Sequence, residues 1–210
     1  HLMRLIERNQ FDTIYHEHFS YLSFSTVERI FAAHGLVLHD VEELPTHGGS
    51  IRIHARHAAN AALPVGERVA EMRERERALG YHAIERYLGF GEQVRQVKHR
   101  LLSHLIEAKA AGRKVVGYGA PGKGNTLLNY CGIRSDFLDF TVDANPYKQG
   151  KYTPGTLIPI LAPEALRQAR PDEVLILPWN LRDEVAAQLD YVREWGGKLV
   201  VAIPRLEVLE

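Results

Sequence analysis

Lys114-Val115-Val116-Gly117-Tyr118-Gly119-Ala120-Pro121-Gly122-Lys123-Gly124-Asn125 decides the fold class. Lys114–Gly119 is a short apolar run of strand length, and Gly122–Tyr130 can form a helix. The glycines fall in a G-x-G-x-x-G spacing at the turn between them, and Asp143 ends the next strand, Phe140–Asp143, roughly 20 residues on. Working toward the C-terminus, Pro163 suits the first position of a short helix and Glu173–Leu177 reads as a third strand. Asn180 is predicted to cap a helix with Val185, Leu189 and Val192 on one face, closed by Gly196. Lys198–Ile203 is a fourth strand. Strands alternating with helices predict an α/β unit: a parallel sheet with right-handed crossovers.

Toward the N-terminus, 66–111 reads as helical. Glu71, Arg73, Glu74, Arg75, Glu76 and Arg77 make a mixed charge run that reads as a solvated helix face. Val94, Val97, Leu101, Leu105 and Ile106 recur at helical spacing, and Gly112 ends the segment. These helices are expected to connect two units. Further upstream, Ser25-x-x-Glu28 has capping-box spacing, Val27, Ile30 and Phe31 supply a helical face, and Gly35 suits a stop. Leu36–Glu43 and Ser50–Arg56 alternate like two strands joined by Pro45–Gly49.

Composition narrows the class. The 210 residues are 45% hydrophobic, enough for a packed core. Lys+Arg and Asp+Glu both number 26, so no global charge draws the chain to nucleic acid or an anionic membrane. No stretch approaches the ~20 apolar residues of a membrane span, and no signal-peptide pattern opens the chain. The one cysteine, Cys131, can form no internal disulfide and excludes a cysteine-based zinc site within the chain. A cytoplasmic protein is the simplest expectation. Oligomeric state is not readable.

Two motifs could carry chemistry. Tyr15-His16-Glu17-His18 is a dense polar cluster between helices. In an extended chain His16 and His18 would share one face, Tyr15 and Glu17 the other. Histidine removes protons near neutral pH, and a nearby carboxylate can orient it. The bland alternative is a solvated loop with Tyr15 buried. A zinc site would need scattered partners such as His47 or His54, and the spacing is not that of a helical His-Glu-x-x-His pair, so no metal is expected. The second motif is Gly117–Gly122. Its glycines allow backbone to approach a diphosphate, and the helix N-terminus supplies free N–H groups. Lys123 and Asn125 would add a charge and a polar contact. The alternative is a tight turn with no ligand, and Pro121 removes one donor from the loop.

Phe11-Asp12-Thr13-Ile14-Tyr15-His16-Glu17-His18-Phe19-Ser20-Tyr21 resembles the deoxysugar C-methyltransferases that act on nucleotide-linked 4-keto sugars. So do Gly117–Ile133, Asn145–Tyr152 and Leu177-Pro178-Trp179-Asn180-Leu181. The resemblance covers nearly the whole chain in four ordered motifs. It implies a three-part protein: an N-terminal zinc module, a middle domain binding S-adenosylmethionine (SAM), and a C-terminal Rossmann-like domain that does not bind SAM. On that reading the chain is a fragment lacking the zinc module and the main SAM loop, and is inactive alone. Residues 1–65 are then the C-terminal portion of the SAM-methyltransferase domain, 66–112 a helical connector, and 113–210 the C-terminal Rossmann-like domain.

The resemblance also implies roles. His18 matches the family's catalytic histidine and would take a proton beside the sugar's ketone, with Glu17 as the reserve base. Tyr15, His16 and Glu17 would orient the sugar or stabilise the enolate. Gly119, Lys123 and Asn125 are expected to hold the nucleotide or diphosphate. His47 and Ser50 lie on a turn that would reach the carboxyl-end face if the strand before it runs parallel to a main sheet. Two other readings stand beside this one: an NAD-dependent oxidoreductase built on Gly117–Gly122 and Asp143, and a non-catalytic module binding nucleotide sugars.

Overall fold

A computed structural model describes residues 1–209. The chain divides into two units, 1–10 with 17–93, and 11–16 with 94–210.

The first unit opens with α1 (Leu2–Glu7), followed after residue 17 by α2 (Phe24–Ala33), β1 (Leu36–Leu44), β2 (Ser50–His57) and α3 (Glu67–Ala78). α4 (Ile84–Ala110) contributes its residues up to Gln93. β1 and β2 pair antiparallel in a sheet of their own, from Leu36 opposite His57 to Leu44 opposite Ser50. Met3, Ile6, Phe24, Leu38, Val69 and Met72 form the core beneath them. Residues 66–93 therefore belong to this unit and 94–112 to the next.

The start of α2 differs from the capping box at Ser25. Ser23 caps instead, its Oγ accepting from the Thr26 N–H at 3.2 Å. Phe24, fully buried, begins the helix and draws its start upstream. The buried Glu76 carboxylate of α3 receives the Phe24 N–H at 2.6 Å, the Ser25 N–H at 2.9 Å and the Ser25 hydroxyl at 2.6 Å. Glu28 is turned outward to Arg73 at 2.7 Å. One member of the charge run is thus an interior carboxyl group that satisfies two unpaired helix N–H groups. Glu76→Ala would strand those donors, and we expect urea unfolding to show a loss of about 2–4 kcal/mol. A loss below about 1 kcal/mol would mean that water replaces the carboxylate.

The second unit is a six-stranded sheet with the order β5-β4-β3-β6-β7-β8. Its strands are β3 (Val115–Tyr118), β4 (Thr141–Val142), β5 (Ile160–Leu161), β6 (Glu173–Ile176), β7 (Lys198–Val201) and β8 (Glu207–Leu209). The first five run parallel and β8 is an antiparallel edge. The helices are the remainder of α4, then α5 (Gly122–Cys131), α6 (Glu164–Ala169) and α7 (Arg182–Gln188). β6 is buried throughout and β3 nearly so, as a parallel sheet covered on both faces requires. Val116, Val142, Leu166, Val174, Val185 and Val192 lie in one apolar cluster. Pro163 sits one place before α6 rather than inside it. Asn180 does not cap α7; it lies in a 3₁₀ turn, Trp179–Leu181, and its side chain is used elsewhere.

Candidate functional site

Counted from β3, the strand order is 3-2-1-4-5-6, that of a doubly wound dinucleotide-type fold. Its switch point lies between β3 and β6, where chain direction across the sheet reverses. The loops leaving these strands, Gly119–Pro121 and Leu177–Asn180, meet there.

Their close approach accounts for the glycines. A Cβ on Gly117 would lie 2.7 Å from Thr141 Oγ1, one on Gly119 2.8 Å from Pro178 Cδ, and one on Gly124 2.9 Å from Leu177 Cβ. Gly119 also has φ +85°, which an L side chain rarely adopts. Asp143, read in sequence as the acidic residue of a dinucleotide-binding pattern, is committed to the same loop. It accepts the Ala120 N–H at 2.8 Å and the Lys148 ammonium at 3.1 Å. Burial alone would raise its pKa, but the Asn145 and Ala120 N–H groups and Lys148 outweigh burial and hold it below its ordinary value.

Residues 11–16 also belong to this unit. Phe11, buried, meets the Tyr130 ring edge-on at 5.1 Å. Tyr15 lays its ring 3.4 Å from where a Gly122 Cβ would stand. Between them Asp12 is 0% exposed, and its Oδ2 accepts from Trp179 Nε1 at 2.7 Å. Its Oδ1 is buried with no hydrogen-bond partner. Lys123 stands beside this pair: its Nζ donates to Asn180 Oδ1 at 2.6 Å and lies 4.6 Å from the Trp179 ring centroid. Burial pushes the Asp12 carboxyl up to about 7, against the opposing pull of the Trp179 N–H and the Lys123 charge. Burial likewise lowers the Lys123 ammonium, with Asp12 opposing.

The sequence-predicted residues are distributed as follows. Tyr15, His16, Gly119, Lys123 and Asn125 belong to the second unit; Glu17, His18, His47 and Ser50 belong to the first. His16, Glu17 and His18 are exposed, and Tyr15 is half-buried. The His18 ring stands 6.4 Å from that of Tyr21, edge-on. Asn125 Oδ1 is buried without a partner. His47 is exposed at φ 55°, and Ser50 Oγ donates to Thr46 O at 3.0 Å. The strand before that turn joins only its own two-stranded sheet, so the parallel arrangement that would carry the turn to a carboxyl-end face is not found among the described residues. Sequence reading gave Asp12 and the Trp179 side chain no role and read Asn180 only as a helix cap. The available signal was positional, since Pro178-Trp179-Asn180 follows the strand that borders the switch point.

Burial pushes the Cys131 thiol up to about 12, so it is not a nucleophile at neutral pH. Among the described residues no group of three or more His, Cys, Asp or Glu side chains could hold a metal ion, and no helix is long and apolar enough to cross a membrane.

A doubly wound sheet with a filled switch point defines a Rossmann-type domain. Residues 45–204 match the family described as C-methyltransferase C-terminal domain, and the chain belongs to that family. It is 39% identical over 209 residues to C-methyltransferase NovU of Streptomyces niveus. The match takes in 100% of this chain and 50% of that protein, so the chain spans half the length of the curated relative.

Proposed function

We propose that the chain is the C-terminal part of a SAM-dependent enzyme that methylates carbon in a nucleotide-diphospho 4-keto sugar. The observation that carries this reading is the family match, joined to an exposed His-Glu-His run that leaves a buried anchor. The main SAM-binding loop is assigned to the part of the family's length that these residues do not cover, and SAM supplies the methyl group. Residues 1–65 are read as the end of the SAM domain, and zinc as a component of the uncovered N-terminal part.

His18 takes the proton from the carbon beside the ketone, and the electron pair of that C–H bond delocalises onto the ketone oxygen. The enolate carbon then forms a bond to the methyl carbon as the methyl–sulfur bond breaks. Tyr15, His16 and Glu17 are assigned to orient the sugar or to stabilise the enolate oxygen. The nucleotide diphosphate is assigned to the N-terminus of α5, with Gly119, Lys123 and Asn125, and contacts to the sugar to His47 and Ser50. The cytoplasm, where nucleotide sugars and SAM are made, is the proposed location.

The direct test is incubation of the enzyme, with this chain joined to its SAM-binding part, with SAM and a nucleotide-diphospho 4-keto sugar. A product one methyl heavier, with the new group on carbon, is expected; no such product, with SAM bound, sinks the reading. Lys123 supplies a finer test. Its ammonium is partly used by Asn180, and its remaining N–H groups are available to an anion. Lys123→Ala should raise KM for the nucleotide sugar several-fold and lower kcat less. An unchanged KM would leave Lys123 an internal partner of Asn180.

A further inference from the structure

Asp12 lies outside the chemistry just described, yet it is the most deeply buried carboxylate at the switch point. Phe11 alone could hold the segment by apolar contact. A buried carboxylate with one oxygen unpartnered is a costly addition to such an anchor. What it adds is direction. The short side chain accepts the Trp179 indole N–H at 2.7 Å, and the Trp179 ring is itself fixed beneath Lys123, whose ammonium is tied to Asn180. An apolar side chain in place of Asp12 would bury the turn and leave it free to rotate or slide. His18 follows Asp12 by six positions, so a turn held in one register fixes where the His-Glu-His run begins.

We propose that Asp12 is a positioning residue: through Trp179 it locks residues 11–16 into the switch point, and so sets the origin of the segment that carries Tyr15, His16, Glu17 and His18. The positioning role rests on the functional reading above; the anchoring does not. Displacement of a reacting group by an ångström can cost about 10²-fold in rate, so a loosened origin is felt in turnover before it is felt in binding.

Three variants test this. Asp12→Ala removes the acceptor, Trp179→Phe removes the donor and keeps a smaller aromatic ring, and Asp12→Asn keeps an acceptor for the indole. Hydrogen exchange followed on this chain should show residues 11–16 exchanging at least about tenfold faster in Asp12→Ala and Trp179→Phe, with α5 and β6 still protected. In the joined enzyme both should lose at least about tenfold in kcat, with KM for the nucleotide sugar moving less than about threefold. Asp12→Asn should recover most of both losses. The Asp12→Ala, Trp179→Phe pair should be no slower than the worse single variant, because both break one contact. If Asp12→Ala unfolds the unit, Trp179→Phe carries the test alone. Unchanged exchange in Trp179→Phe overturns the anchoring. Faster exchange with unchanged kcat overturns the positioning role. A wild-type enzyme that transfers no methyl group would remove the functional reading and the positioning role with it, and the exchange data would then decide the anchoring separately.

Discussion

Under the function proposed above, His18→Asn in the joined enzyme should leave nucleotide-sugar binding intact and abolish exchange of the proton beside the ketone with solvent deuterium. The expected loss is about 10²–10⁴-fold, the usual contribution of a positioned general base. Histidine is suited to proton removal near neutral pH, and His18 is exposed, so a substrate can reach it from solvent. Its ring neighbour is Tyr21, edge-on at 6.4 Å. Simple alternation along an extended strand would point Tyr15 and Glu17 away from His18. The Tyr15 ring does turn elsewhere, onto Gly122. That leaves Glu17 as the competing base, and the comparison separates them. His18→Asn should abolish exchange while the affinity for nucleotide sugar stays within about threefold. Exchange at the wild-type rate in His18→Asn, together with its loss in Glu17→Gln, would reverse the two roles. Methyl transfer should fall in step with exchange, because no enolate forms without the base.

The parallel sheet was legible because its central strands are buried on both faces and read as unbroken apolar runs. Val115-Val116 and Val174-Leu175-Ile176 are such runs. The edges were not legible. Ile160–Leu161 is too short to show a period, and Glu207–Leu209 presents one exposed valine between two half-buried residues. The α2 start was misread for a tertiary reason. Ser25-x-x-Glu28 has the right spacing, but the Glu76 carboxylate from another helix takes the Ser25 N–H that Glu28 would have served in a local box. The glycine spacing was visible, but its cause was not. Gly117, Gly119 and Gly124 are needed where Thr141, Pro178 and Leu177 close on them, contacts that only strand order reveals. Asp12 was hidden most thoroughly. Its partner Trp179 is 167 residues away, and no periodicity links a three-residue turn to the far side of a switch point.

Stability of the second unit should fall as pH rises from about 4 to about 7, and a variant lacking the Asp12 carboxylate should lose that slope. Burial raises this carboxyl from its ordinary 3.8 to about 7, outweighing the Trp179 hydrogen bond and the Lys123 charge. Between those two values the folded chain keeps a proton that the unfolded chain has released. The folded state therefore binds more protons, and the free energy of unfolding decreases with pH across that window. The stabilisation from this group is complete below 3.8 and gone above about 7. At 1.36 kcal/mol for each pH unit the full range is about 4 kcal/mol, of which about 2–3 kcal/mol should appear between pH 5 and pH 8. Other shifted groups of this unit act elsewhere. Asp143 is held below its ordinary value, so its contribution is present at neutral pH and lost in stronger acid. Lys123 is lowered from 10.5, so its term favours folding as pH rises on the alkaline side. Urea unfolding of the wild type and Asp12→Asn at matched pH isolates the Asp12 term. The stability of the Asn variant relative to wild type should climb between pH 5 and pH 8 and level off beyond. A difference that does not change with pH would mean that the folded chain ionises Asp12 as readily as the unfolded one does. The same titration bears on the anchor: near neutral pH the carboxylate becomes charged beside Lys123, at a cost that an uncharged side chain would avoid.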